Sequence, residues 1–117
     1  LLAPCSNGNI SLMTDIARRN GMRFDAILGA DIAQDYKPRP RVYQASAEAF
    51  DLKPNECMMV SASSHNDDSR GAAAAGLRVA AVARPDEFGP GTRPSTPNVP
   101  VDIIAKDLND LADKLGA

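Results

Sequence analysis

No uninterrupted apolar run in this sequence approaches the ~20 residues needed to cross a bilayer, so no segment reads as a membrane-spanning helix. The leading Leu1-Leu2-Ala3 is too short, and too soon broken by Pro4, to read as a signal peptide, and the expected compartment is cytoplasmic. Charge of one sign is also lacking: thirteen Lys and Arg stand against fifteen Asp and Glu, and the basic residues are scattered. Without a basic stripe there is no long-range pull on phosphates, so nucleic acid is not an expected partner. Thiols are few. Cys5 is expected at the exit of one strand and Cys57 at the start of another parallel strand, at opposite edges of a sheet, which leaves no disulfide and fits a reducing compartment. Histidine is scarcer still. His65 with Asp67 and Asp68 could in principle ligate a metal, but adjacent carboxylates normally point apart and there is no second imidazole.

What is present is an ordinary globular balance, 44% hydrophobic and 24% charged over 117 residues, enough for one core. Leu1 to Cys5 reads as a buried strand rather than a leader, and with Leu in first place the expectation is a fragment, or a chain processed upstream. Ser6-Asn7-Gly8-Asn9 then turns into a helix marked by Ile10, Met13, Ile16 and Ala17, closed by Gly21. Phe24 to Gly29 reads as a second strand and Ala30 to Arg39 as a loop. Pro40 suits the first turn of a helix whose buried stripe is expected to be Val42, Ala45, Ala49 and Phe50. Cys57 to Ser61 is an apolar run of the kind covered on both faces, followed by a loop from Ser61 to Asp68 and an alanine-rich helix ending at Gly76. Arg78 to Ala83 and Val101 to Ala105 are further strands, and Leu108, Leu111, Ala112 and Leu115 mark a closing helix. Strands alternating with helices indicate an α/β fold built on a parallel sheet. Residues 84–100 hold five of the nine prolines and are expected to form a surface loop, mobile or acting as a lid or partner contact.

In an open parallel sheet the ligand crevice lies beyond the carboxyl ends of the strands. Ser6-Asn7-Gly8, Tyr36-Lys37-Pro38 and Ser63-Ser64-His65-Asn66-Asp67-Asp68 are therefore expected on one edge. They bring a hydroxyl, an amide, a cation and a carboxylate, the set that holds an anionic substrate beside a carboxylate. Taken singly, Ser-Asn-Gly is also a turn and helix cap, Lys37 a solvated lysine, and Asp68 the N-cap of the alanine-rich helix.

In this order and spacing, together with Arg41-Val42-Tyr43 and Asp68-Ser69-Arg70-Gly71-Ala72, the motifs resemble the haloacid dehalogenase superfamily, and within it the 2-haloacid dehalogenases. The resemblance runs from Leu1 to the final helix. It implies a Rossmann-like parallel sheet, that of the superfamily's core domain, without the strand that carries the nucleophilic aspartate and without the helical cap. No complete Asp-X-Phe-Gly-Thr segment occurs among these residues. By resemblance, Ser6 hydrogen-bonds the nucleophile and substrate, and Asn7 faces the substrate and departing halide. Lys37 is the central cation, Tyr43 fixes Lys37 or the substrate side of the pocket, Ser63 and His65 shape the pocket and water site, and Asp68 secures the lysine and helps to activate water. The implied reaction displaces halide from a short 2-haloacid by an aspartate carboxylate, leaving an ester that water cleaves, with no metal or other cofactor. The expected partners are the haloacid and the missing N-terminal segment of the same enzyme, with homodimer formation left open. His65 stands where many relatives have Asn and Asp67 where they have an aromatic residue, and the loop between Val60 and Ser63 is longer by about two residues on alignment by eye, so substrate choice is not fixed by the resemblance. Two other readings stay open. One is a Mg-dependent phosphatase of the same superfamily, although Ser61-Ala62-Ser63-Ser64 stands where a metal-binding Gly-Asp is typical and serines are a poor replacement. The other is a truncated, non-catalytic binding module.

Overall fold

The computed structural model describes residues 1–117. The order of elements is β1 (Cys5–Ser6), α1 (Ile10–Arg19), β2 (Leu28–Gly29), α2 (Ala30–Ala33), α3 (Pro40–Glu48), a 3-10 turn (Pro54–Glu56), β3 (Met58–Ala62), α4 (Asn66–Ala74), β4 (Arg78–Val82), β5 (Ile103–Ala105) and α5 (Leu108–Lys114). All strand pairs are parallel, as the alternation of strands and helices requires. No helix is long and apolar enough to cross a membrane.

The strands form two separate pieces. β1 pairs with β2, and β3-β4-β5 form a three-stranded sheet in which Met59 lies opposite Val79 and Ala80 opposite Ile103. β4 alternates its side chains between two packed faces. Val79 faces a cluster with Tyr43, Met59, Ala72 and Ala75, which seats α3 and α4, while Ala80 and Val82 face Ala105 and Leu111, which seats α5. Cys5 packs against the first cluster, and β1 does not pair with β3.

Local signals explain the helix ends. Asn9 caps α1 by accepting from the Leu12 amide at 2.9 Å, and Gly21 follows in the left-handed conformation at φ +63°. Pro40 opens α3.

Several expectations need correction. The first two strands are regular over only two residues each, and Leu1 and Leu2 are exposed rather than buried. The apolar stripe of α1 is mostly uncovered, with Ala17 its one buried residue. The segment expected as loop after Gly29 begins with the one-turn helix α2. In α3 the buried residues are Val42, Tyr43, Ala45 and Ala47; Ala49 is exposed, because the helix has ended at Glu48 and the chain turns away. α4 starts at Asn66, with His65 as its N-cap, so Asp68 lies inside the first turn. Acidic Asp67 and Asp68 suit that turn because they face the positive end of the helix dipole.

Gly29 sets the distance between the first two strands. At φ +126° it occupies a backbone region unfavourable to other residues, and a Cβ there would overlap the Ser6 carbonyl oxygen and lie 2.5 Å from the Ser6 nitrogen. Gly29→Ala is expected to cost about 3 kcal/mol, read as a lower urea midpoint at unchanged slope. An unaltered midpoint would show that β1 gives way freely.

Candidate active site

The carboxyl ends of β1 and β3, and the segment between α2 and α3, bring the three expected motifs together. Lys37 Nζ lies 2.7 Å from Asp68 Oδ2, with side chains 18% and 13% exposed. The other carboxylate oxygen, Oδ1, accepts from the Tyr43 hydroxyl at 2.5 Å. Asp68 is thus held from two sides, by a cation from the loop before α3 and by a phenol from α3 itself.

Asn7 acts on the lysine through its backbone. Its Oδ1 accepts from the Lys37 amide at 2.7 Å and its Nδ2 donates to the Lys37 carbonyl at 3.4 Å, so both amide atoms are spent on positioning that segment. Gly71 allows the approach from the other side. A Cβ there would lie 2.5 Å from the Pro38 carbonyl oxygen and 3.0 Å from the Tyr43 ring, so a side chain would push α4, and Asp68 with it, away from Lys37.

These residues border an open cavity of about 300 Å³ lined by Asn7, Lys37, Pro38 and the run Ser64 to Asp68. Of the candidates, Asn7, Lys37, His65 and Asp68 line it; Ser6, Ser63 and Tyr43 do not. The Ser6 hydroxyl accepts from the Gly8 amide at 3.0 Å, the bond of a turn. Ser63 is buried, and its Oγ is the one buried side-chain polar atom without a hydrogen-bond partner. Tyr43, expected to fix Lys37 or the substrate side, is fully buried behind Asp68, touching the carboxylate and not the lysine. His65 is half exposed, with Nε2 3.0 Å from Glu87 Oε1. Glu87 had no signal in the sequence beyond being an acid in a proline-rich loop.

Burial, and then the hydrogen bond to Asp68, push the Tyr43 hydroxyl far above the ordinary tyrosine range. A raised folded-state value means that the stabilisation is whole below the unfolded value near ~10 and is lost as pH climbs beyond it. Tyr43→Phe is expected to cost about 1–2 kcal/mol at pH 8, and the deficit should shrink above pH ~10 as wild type alone weakens. Denaturation midpoints at pH 8 and 10.5 test this; a deficit that grows would be the wrong sign. Burial also raises the Cys5 thiol, which disfavours the nucleophilic thiolate form.

Among known proteins, the family described as haloacid dehalogenase-like hydrolase matches residues 1–76. This chain belongs to that family. Haloacetate dehalogenase H-2 of Moraxella sp. (strain B) is 33% identical over 85 residues, covering 71% of this chain and 37% of that protein. The crystal structure of the L-2-haloacid dehalogenase PA0810 superposes with a TM-score of 0.88 at 43% identity, covering 97% of this chain and 49% of that one. That of the L-2-haloacid dehalogenase from Xanthobacter autotrophicus with chloropropionic acid covalently bound gives 0.81 at 26% identity, covering 98% and 54%. The chain therefore spans a little over a third of the first relative and about half of these structures. Within this haloacid dehalogenase-like chain, the family match ends at Gly76, so β4, the proline-rich loop and Glu87 lie beyond it.

Proposed function

We propose that these residues belong to a 2-haloacid dehalogenase, which hydrolyses a short 2-haloacid to the 2-hydroxyacid through an aspartyl ester. The nucleophile in this reading comes from residues outside 1–117. The observation that carries it is the Lys37–Asp68–Tyr43 assembly at the rim of a polar cavity. A haloacid is an anion, and so is an attacking aspartate. Two unit charges ~4 Å apart repel by roughly 4 kcal/mol at an effective dielectric of ~20. The Lys37 ammonium offsets that repulsion only if it stays in place, which Asp68 and the amide of Asn7 ensure. The unpartnered Ser63 hydroxyl and Ser6 supply hydroxyls near the strand ends for the incoming aspartate. The relatives, a haloacetate dehalogenase and L-2-haloacid dehalogenases, one of the latter with chloropropionic acid covalently bound, support substrate class and covalent route alike.

The test is halide release from each enantiomer of 2-chloropropionate by the complete protein, with and without EDTA. Turnover unchanged by EDTA is expected. Loss of activity on chelation, restored by Mg and accompanied by hydrolysis of a phosphate ester, would replace this reading with the phosphatase one.

A further inference from the structure

The proline-rich loop at 84–100 is fastened onto the site. Glu87 Oε2 accepts from Ser64 Oγ at 3.1 Å, its Oε1 lies 3.0 Å from His65 Nε2, and the Asn98 amide donates to Asn66 Oδ1 at 2.9 Å. Two hydrogen bonds and the close His65–Glu87 approach thus join three successive residues of the cavity wall to one loop. The turn that presents Glu87 is closed by its own bonds: the Arg93 amide donates to the Pro85 carbonyl at 3.0 Å, the Gly91 amide to Asp86 Oδ1 at 2.7 Å, and the Arg93 guanidinium lies 4.4 Å over the Phe88 ring. The Glu87 side chain is only 15% exposed although its neighbour Phe88 points largely into solvent. An acid held inward by that much structure is built in.

His65 meets the cavity with one ring nitrogen beside Glu87 and the other, Nδ1, without a partner in the protein. The other charged groups of the cavity are Lys37, Asp67 and Asp68. Both oxygens of Asp68 already accept hydrogen bonds, from Lys37 and Tyr43, whereas Nδ1 is unoccupied. We propose that Glu87 is a positioning residue that acts through His65, holding the proton on Nε2 so that Nδ1 accepts a proton from the water that cleaves the ester. This rests on the dehalogenase reading. In the step, the water oxygen bonds to the aspartyl carbonyl carbon and its proton passes to Nδ1. The bond from that carbon to the substrate oxygen then breaks, the substrate oxygen takes the proton back from the imidazolium, and the 2-hydroxyacid leaves. Glu87 stabilises the imidazolium while it exists, as a carboxylate behind an imidazole does generally.

Two measurements on the complete protein test this. Nitrogen-15 NMR of the His65 ring, identified by the signal lost in His65→Asn, should show neutral imidazole protonated on Nε2, and Glu87→Ala should bring the two nitrogen shifts together. A proton on Nδ1 in wild type, or two nitrogen shifts in Glu87→Ala that stay as far apart as in wild type, would overturn the assignment. In haloacid turnover, Glu87→Ala should lower kcat by about tenfold or more with KM within about twofold, and Glu87→Asp should recover part of it. Glu87→Gln keeps the bond to Ser64 without the charge, so it should lose kcat while retaining the wild-type denaturation midpoint. A raised KM at unchanged kcat in these variants would overturn the proton-transfer role. Absence of haloacid turnover in wild type would instead remove the dehalogenase reading, and the NMR result would still decide whether Glu87 sets the His65 tautomer.

Discussion

Lys37→Ala should lower kcat/KM for a 2-haloacid by a factor of at least about 10³ while the circular dichroism spectrum stays that of the wild type, the scale seen when a preorganised electrostatic group is removed from a catalytic site. The lysine is placed for charge rather than for packing. Its backbone is pinned by Asn7, so truncating the side chain leaves the loop where it is. Asp68 keeps the Tyr43 hydroxyl, and its carboxylate borders an open cavity that water can enter, so the loss of its cation costs some stability without unfolding the chain. Lys37→Arg should not restore the rate. A guanidinium is larger, planar and always charged, and the wild-type contact is a single ammonium nitrogen 2.7 Å from one oxygen. Near-normal turnover by the alanine variant would refute the role given to Lys37.

The elements that could be read from the sequence are those with strong local periodicity or a fixed cap. Pro40 and Gly21 mark their helix ends because capping is decided within a few residues. The pairing of Lys37 with Asp68 was legible for another reason, the order of motifs, since no local pattern joins residues 31 apart. Tyr43 shows where that stops: its place near the lysine could be expected, but which side of Asp68 it occupies depends on how α3 packs against α4. Glu87 was not legible at all. Its contacts to Ser64 and His65 bridge 23 and 22 positions and exist only because the loop folds back over the carboxyl ends of the strands. α1 misled in the opposite direction, presenting a buried-type stripe of which Ile10 and Ile16 remain 40% and 36% exposed. Periodicity reports that a face is apolar; what covers it is a matter of tertiary partners.

In the complete protein, the backbone amides of Cys5 and Val60 should exchange with solvent about 10³-fold or more slowly than in an unfolded chain, as amides do when they open only at several kcal/mol. Within residues 1–117 neither should be protected. The Leu28 amide donates to the Pro4 carbonyl, and the register of Cys5 with Leu28 then turns the Cys5 amide away from β2. Likewise the Ser63 amide donates to the Val82 carbonyl, so alternation along β3 turns the Val60 amide away from β4. β1 and β3 are each unpaired on that side, and Cys5 packs against the cluster that contains Met59 of β3. Open strand edges leave polar groups unsatisfied and invite aggregation, so in the dehalogenase reading a parallel strand from outside residues 1–117 lies between β1 and β3 and covers both. Closing the gap directly would instead shift Ser6 relative to Asp68 by about one strand spacing, ~4.8 Å, and dismantle the cavity. Slow exchange at both amides, with no close proton contact between Cys5 and Val60, is therefore the expected result. Fast exchange at both while Ala80 and Ala81 of β4 stay protected would show the slot open to water, and a direct Cys5–Val60 contact would show that the two sheets have merged.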